Sequence, residues 1–378
     1  MENKPKKIRV NFPGITSEAW EHPADKAALL ALRKVPGIDK VIKALYSVFD
    51  EKSIYLYLLA TSVRVNEKQF GRVHRIYMEA CTIFDIPEDE RPALFVTQTP
   101  FLNAGAIGWS KPMITLNSGV VEQMSDDELM AIIGHELGHI LSGHVLYRTL
   151  LFLLLKVTDR ALPMLTGIAL KPIILALQEW NRKSELSCDR AGLLAVQDPE
   201  VVINMEMKMA GGRNIHEMDL GEFIKQAEEY ESSDSISDSF HKLMNVLSYA
   251  TTHPFAVTRL NELLKWVQGG EYDQILRGFY KDLANERIAE TTKKAGKGYA
   301  DDFFKFTDSI LKGAKDATSF AKEKTEEAFS KKVESDVEQE EEEATEARSS
   351  VKAEDIYDFV DEKAQGFKDL VDDFLSKK

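Results

Sequence analysis

Residues 134–139 read GHELGH. On a helix, positions i and i+4 are neighbours, so His135 and His139 can present imidazole nitrogens to one tetrahedral zinc. Glu136 sits beside the first of them, where its carboxylate can take the proton of a water that a metal ion has made acidic. The pattern on a helix therefore encodes a metal site and a general base together. Two histidines fall short of a catalytic centre, which takes three protein ligands and keeps one position open. His144, His253 and the acidic pair Glu185 and Asp189 are the candidates for the third. Glu185 and Asp189 stand one helical turn apart in NRKSELSCDRAG, so one can ligate while the other accepts a hydrogen bond from a ligating imidazole. The structural alternative for that pair is a solvated acidic face near Arg182 and Arg190.

These residues need rigid elements to hold them. Ser125 and Glu128 form a capping-box pattern at the start of a helix, and Leu129, Ile132, Ile133, Leu137, Ile140 and Leu141 then recur at helical spacing. A second helix is predicted over roughly 176–197 and carries Glu185 and Asp189. Asp198-Pro199 caps a third, which ends at Gly211-Gly212. A later helix follows His253-Pro254 and stops at Gly269-Gly270. Upstream, residues 24–51 read as two helices split by Pro36-Gly37. The run SIYLYLLATSVRV at 53–65 is β-branched and aromatic enough for a strand, and 67–85 returns to helix with Phe70, Val73, Ile76, Tyr77 and Ala80 on one face. ALFVTQ at 93–98 and MITLN at 113–117 are short strands; FLNAGAIGWSKP between them suits an edge strand or a tight connection.

Composition bounds the function. The chain of 378 residues is 44% apolar and 29% charged, with a net charge of −14, which argues against general nucleic-acid binding and against simple attachment to an anionic membrane. Cys81 and Cys188 are the only cysteines, so there is no disulfide framework and a reducing compartment is expected. Lys4, Lys6, Lys7 and Arg9 precede no apolar run, which reads as a cytoplasmic start. Two stretches, 145–155 and 161–177, are strongly apolar but too short to span a bilayer and are interrupted by Lys156, Asp159, Arg160, Lys171, Pro163 and Pro172. They read as a buried helical hairpin, with an interfacial membrane hairpin or a subunit contact as alternatives. Residues 331–348 hold eight acidic and three basic side chains, a local charge of −5, and form a solvated linker flanked by amphipathic stripes at 303–311 and 356–375.

HELGH, followed 46 residues beyond His139 by ELSCD, resembles the HtpX and CAAX-prenyl-protease family of zinc metallopeptidases. THPFAVTRL at 252–260 is similar to that family's late His-Pro segment, and LNAGAIGW at 102–109 to its edge strand over the active-site cleft. The resemblance implies a single zinc per chain on His135, His139 and Glu185, with Glu136 as base and Asp189 supporting a ligand histidine. It implies that His253 helps with the substrate oxyanion, and that substrate lies as an extended strand along 103–108, beginning at Asn103 and Ala104. It departs from the family in lacking long spanning segments, in Cys188 where a small residue is usual, and in Gly105 where a bulkier one is common.

The expectation is thus a mainly helical α+β protein with a zincin-like core and a small antiparallel sheet. An N-terminal helical segment (1–52), a metallopeptidase domain (53–285) and an acidic amphipathic tail (286–378) divide the chain. The expected activity is zinc-dependent endoproteolysis of a protein or peptide substrate, with a role in protein quality control. Its expected location is the cytoplasm, with peripheral membrane association through 145–177 as a variant. The alternative is a zinc-binding scaffold working through the apolar hairpin and tail, against which Glu136 speaks: a purely structural site has no use for a base.

Overall fold

The computed structural model describes residues 9–48, 50–156, 170–232 and 256–280. Its elements in chain order are α1 (Pro23–Leu32), α2 (Ile38–Val48), α3 (Glu51–Thr61), β1 (Val63–Arg64), α4 (Gly71–Ile83), β2 (Ala93–Thr97), β3 (Ala104–Ile107), β4 (Met113–Asn117), α5 (Ser118–Gln123), α6 (Asp126–Leu141), α7 (Val145–Lys156), α8 (Leu170–Val196), α9 (Pro199–Gly211), α10 (Leu220–Ser232), α11 (Ala256–Gln268) and α12 (Glu271–Leu276). His253, residues 161–169 of the second apolar stretch and the acidic tail lie outside the described residues.

The punctuation legible in the sequence sets the helix ends. At α6, Ser125 Oγ accepts from the Glu128 N–H while Glu128 Oε2 accepts from the Ser125 N–H, a closed capping box. Asp198 caps α9, Pro199 fills its first turn, and Gly212 ends it with φ 88°. Residues 53–65 depart from the strand expectation: all but the last few form α3. Asp50 caps that helix by accepting from the Lys52 N–H, Leu56, Leu58, Leu59 and Ala60 favour helix, and Ile54 and Leu58 are buried one turn apart. Glu51 then fastens α3 to the β3–β4 hairpin by accepting from the backbone N–H groups of Trp109 (2.6 Å), Lys111 (3.0 Å) and Ser110 (3.2 Å). Phe70 also departs from its expected buried face. It precedes α4 in the left-handed region (φ 53°) and is exposed.

The sheet runs β1-β2-β4-β3 and is mixed rather than antiparallel. β2 and β4 pair in parallel from Ala93↔Met113 to Thr97↔Asn117, while β1 and β3 flank them antiparallel. β2 and β4 are adjacent because β3, which lies between them in sequence, is carried past β4 to the outer edge. The expected edge strand is therefore at an edge, in register Ala104↔Leu116 to Ile107↔Met113.

One core joins the sheet to α4, α6, α8 and α9, with Ile76, Leu94, Ile114, Leu129, Ile133 and Leu193 among its members; Phe12 and Trp20 from the N-terminal segment belong to it too. A second core packs Leu150, Leu153 and Leu154 of α7 and Ile173, Leu177 and Trp180 of α8 against Ala28, Leu32, Ile38 and Val41 of α1 and α2. The described part of the apolar hairpin is thereby buried. Among the described residues no single helix is long and apolar enough to cross a membrane.

α6 and α8 touch backbone to backbone. A Cβ on Gly134 would stand 2.3 Å from Ala195 Cβ and 3.3 Å from the Ala191 carbonyl oxygen; one on Gly138 would stand 2.6 Å from Ala191 Cβ. The two glycines of the motif thus set how closely the helices approach. Overpacking of this kind costs about 1–3 kcal/mol, so Gly134→Val is expected to lower the urea midpoint by that equivalent. Gly71→Ala, where an added Cβ meets nothing within 4 Å, is expected to be neutral or to stabilise by up to about 1 kcal/mol.

Candidate metal centre

Because α6 and α8 lie so close, one face of α6 is presented directly to α8. His135 Nε2 and His139 Nε2 are 3.2 Å apart, and each lies 3.3 Å from one oxygen of Glu185. Ligands about 2.0–2.1 Å from a tetrahedral zinc stand about 3.3–3.4 Å from one another, so these spacings, one to each oxygen of the Glu185 carboxylate, are of the size such an ion requires. All three side chains are buried, His139 and Glu185 completely. Four acidic side chains, Glu136, Glu185, Asp189 and Glu206, share this interior with Arg148 and Arg259.

Each ring is also held on its far nitrogen. His135 Nδ1 lies 3.0 Å from Asp189 Oδ1, which fixes the proton on Nδ1 and turns the Nε2 lone pair inward. Burial opposes charge on His135, yet hydrogen bonds to Asp189 and Glu185 push its pKa up to about 9. The His139 ring goes the other way: burial and then the neighbouring Arg148 charge hold it well below the ordinary histidine value. A neutral ring is the form a metal ion takes. Arg259 from α11 grips Asp189 through Nε (2.8 Å) and Nη2, and reaches Glu206 at 3.1 Å. Although burial works against its charge, that guanidinium keeps Asp189 below the usual carboxylate range.

The sequence candidates fall as follows. His135, Glu136, His139, Glu185 and Asp189 come together; His144 does not face the triangle but stands behind His139, Nδ1 to Nδ1 at 3.2 Å. Glu136 is 1% exposed, and its Oε2 has no hydrogen-bond partner among the described residues. It opens, with His135, onto a cleft that Ala104, Val120, Ile132, Met205 and Met209 line with apolar surface and Glu206 and Arg259 with charge. Ala104 starts β3 at the rim; Asn103 just before it is buried, its carbonyl accepting from the Asn117 N–H at 3.0 Å.

Sequence reasoning missed Arg148, Arg259 and Glu206. Arg148, on α7, donates through Nη1 to Glu185 Oε1 and lies 2.7 Å from His139 Nε2. It and a metal ion cannot both use that lone pair, so loading moves the guanidinium off His139. An arginine inside the apolar run VLYRTLLFLLL was the available signal. Arg259 and Glu206 gave none, because their partners lie far away in the chain.

Burial pushes Glu206 up to about 7 against the pull of Arg259. The folded state therefore holds this proton where the unfolded chain, with a carboxyl near 4.5, has lost it. Stability from this group is full below pH 4.5 and is lost as pH rises through 7. Glu206→Gln removes that dependence. Urea midpoints of variant and wild type at pH 5 and pH 8 should show the variant gaining on the wild type at the higher pH; parallel midpoints would contradict the assignment.

The profile of peptidase family M48 matches residues 67–267. The plastoglobule-localized metallopeptidase 48, chloroplastic, of Arabidopsis thaliana is 32% identical over 270 residues, 70% of this chain and 77% of its own length. A protease HtpX homolog of Helicobacter pylori (strain Shi470) is 34% identical over 86 residues, 22% of this chain and 27% of that protein. Protease HtpX of Acinetobacter baumannii (strain AYE) is 44% identical over 43 residues, 11% of this chain and 14% of its own length. The similarity to the HtpX proteins thus spans a minor part of their length. No solved structure matches the chain. With a buried cluster able to hold a metal ion inside the matched segment, the chain belongs to peptidase family M48 and is a metallopeptidase acting on protein or peptide substrates.

Proposed function

We propose that the chain is a zinc endopeptidase with one zinc per molecule on His135, His139 and Glu185. The observation that carries this reading is the buried meeting of His135 Nε2 and His139 Nε2, 3.2 Å apart and each 3.3 Å from a different oxygen of Glu185, in the same site as the partnerless carboxylate oxygen of Glu136. When bound, zinc lends Lewis acidity to the attacking water and the scissile carbonyl. Glu136 takes the proton of the water and returns it to the leaving amine, a transfer that burial and the open cleft leave it free to make. Asp189 holds His135 in its ligating tautomer, and Arg259 holds Asp189. β3 offers an extended main chain beside the cleft, so a substrate strand can align from Asn103 and Ala104 onward with its scissile bond over Glu136. His253, three residues before α11, is assigned as donor to the oxyanion.

Elemental analysis and peptidase assays of three variants test this. Glu185→Ala should lose zinc. Glu136→Gln should keep it and lose about 10²–10⁴ in turnover. His253→Phe should keep zinc and lose about 10²–10³ in kcat with a smaller change in KM. A zinc-replete, active Glu185→Ala protein would remove the third ligand.

The proposed location is the cytoplasm, with attachment to a lipid surface as a second reading. The second reading is supported by the plastoglobule named in the Arabidopsis relative. Flotation with liposomes decides between them: attachment places the full chain in the lipid fraction, and recovery from the dense fraction alone excludes it.

A further inference from the structure

α6 ends in a Schellman turn. His144 N–H donates to the His139 carbonyl at 2.9 Å and Gly143 N–H to that of Ile140 at 3.0 Å, with Gly143 at φ +68°, a conformation glycine adopts without penalty. The turn folds His144 back over His139, so the two rings meet Nδ1 to Nδ1 at 3.2 Å with both side chains buried. On its other side His144 Nε2 lies 3.0 Å from Asp25 Oδ2 in the first turn of α1. The same carboxylate oxygen accepts from the Ser187 hydroxyl at 2.5 Å, and Ser187 Oγ accepts from the backbone N–H of His22 at 2.9 Å. Asp25 is 1% exposed, and it precedes the segment that the M48 profile matches.

Two facing Nδ1 atoms allow one proton between them. A ring that gives Nε2 to a metal keeps its proton on Nδ1, so His139 must donate and His144 must accept. His144 then carries its own proton on Nε2, and that proton needs an acceptor, which Asp25 supplies. The reversed arrangement would place a proton on His139 Nε2, where the metal belongs. We infer that Asp25, acting through His144, is a positioning residue that fixes the tautomer and orientation of His139, so that the N-terminal helix completes the metal centre from outside the family-matched segment. This rests on the reading of His139 as a ligand. The bland account of Asp25 is an acidic residue favoured in the first turn of a helix, which affects stability alone.

The test uses the full chain, with zinc affinity from chelator competition and the visible absorption of the cobalt(II)-loaded protein. Outer partners of ligating histidines typically contribute about 10–100-fold in metal affinity. Asp25→Leu and His144→Phe should each weaken zinc by that factor and alter the cobalt spectrum. The double variant should be no weaker than His144→Phe alone. Asp25→Asn keeps an acceptor oxygen for His144 and should recover most of the affinity and the wild-type spectrum. Wild-type affinity and spectrum in Asp25→Leu, whatever its thermal stability, would overturn the proposal. So would a second equivalent of zinc removed by Cys188→Ser, since the Cys188 thiol lies 3.6 Å from His144 Nδ1 and that nitrogen would then be a ligand. Should the leucine variant fail to fold, long-range proton–nitrogen correlation on zinc-loaded wild type decides: His144 protonated on Nε2 supports the chain, and on Nδ1 overturns it. A wild-type protein that binds neither metal would instead remove the reading of His139 as a ligand.

Discussion

The backbone contact between α6 and α8 is the constraint from which the rest follows. Helices packed through ordinary side chains lie about 8–10 Å apart. Gly134 and Gly138 remove the side chains that would hold α8 off, and Ala191 and Ala195 answer them from the other side. The same face of α6 that carries the small residues carries His135 and His139 alongside them. Close approach and convergence of the ligand atoms are therefore one event. The motif's glycines are structural partners of its histidines.

Close approach has an electrostatic consequence. It gathers Glu136, Glu185, Asp189 and Glu206 into an interior where an isolated charge is costly. Arg259 and Arg148 offset part of that cost, each shared between neighbours instead of paired with one. Arg190 stands close by, its guanidinium 5.0 Å above the Trp266 ring and donating to the Trp20 carbonyl, which ties α8 to α11 and to the N-terminal segment.

The N-terminal residues belong to this economy of contacts. Phe12 and Trp20 enter the main core, α1 and α2 form half of the second core, and Asp25 touches His144 and Ser187 at the back of the metal centre. The described part of the apolar 145–177 stretch faces that second core. Its hydrophobicity is accounted for largely by packing against α1 and α2, which the profile match beginning at residue 67 does not include.

The sequence by itself determined the local features. Ser125 with Glu128, Asp198-Pro199, Gly211-Gly212 and the spacing of apolar residues along α6 state helix ends and faces within a few residues, and the chemistry of HELGH states a metal and a base. For β3 the residues allowed an edge strand or a tight connection, and the family resemblance implied the edge. Residues 53–65 misled because their β-branched and aromatic content competes with a cap at Asp50 and with Ile54 and Leu58 finding a buried face, and the tertiary contact with Trp109, Ser110 and Lys111 settles that competition. The parallel pairing of β2 with β4 was illegible too, because strand order depends on where β3 is carried. His144, Glu185 and Asp189 were equal candidates on composition. The crossing of α6 with α8 brings Glu185 to both motif histidines and Asp189 to His135, while the turn at Gly143 folds His144 onto His139. Arg148, Arg259, Glu206 and Asp25 act through partners distant in the chain, and a residue's meaning at that range is decided by packing, which no local pattern records.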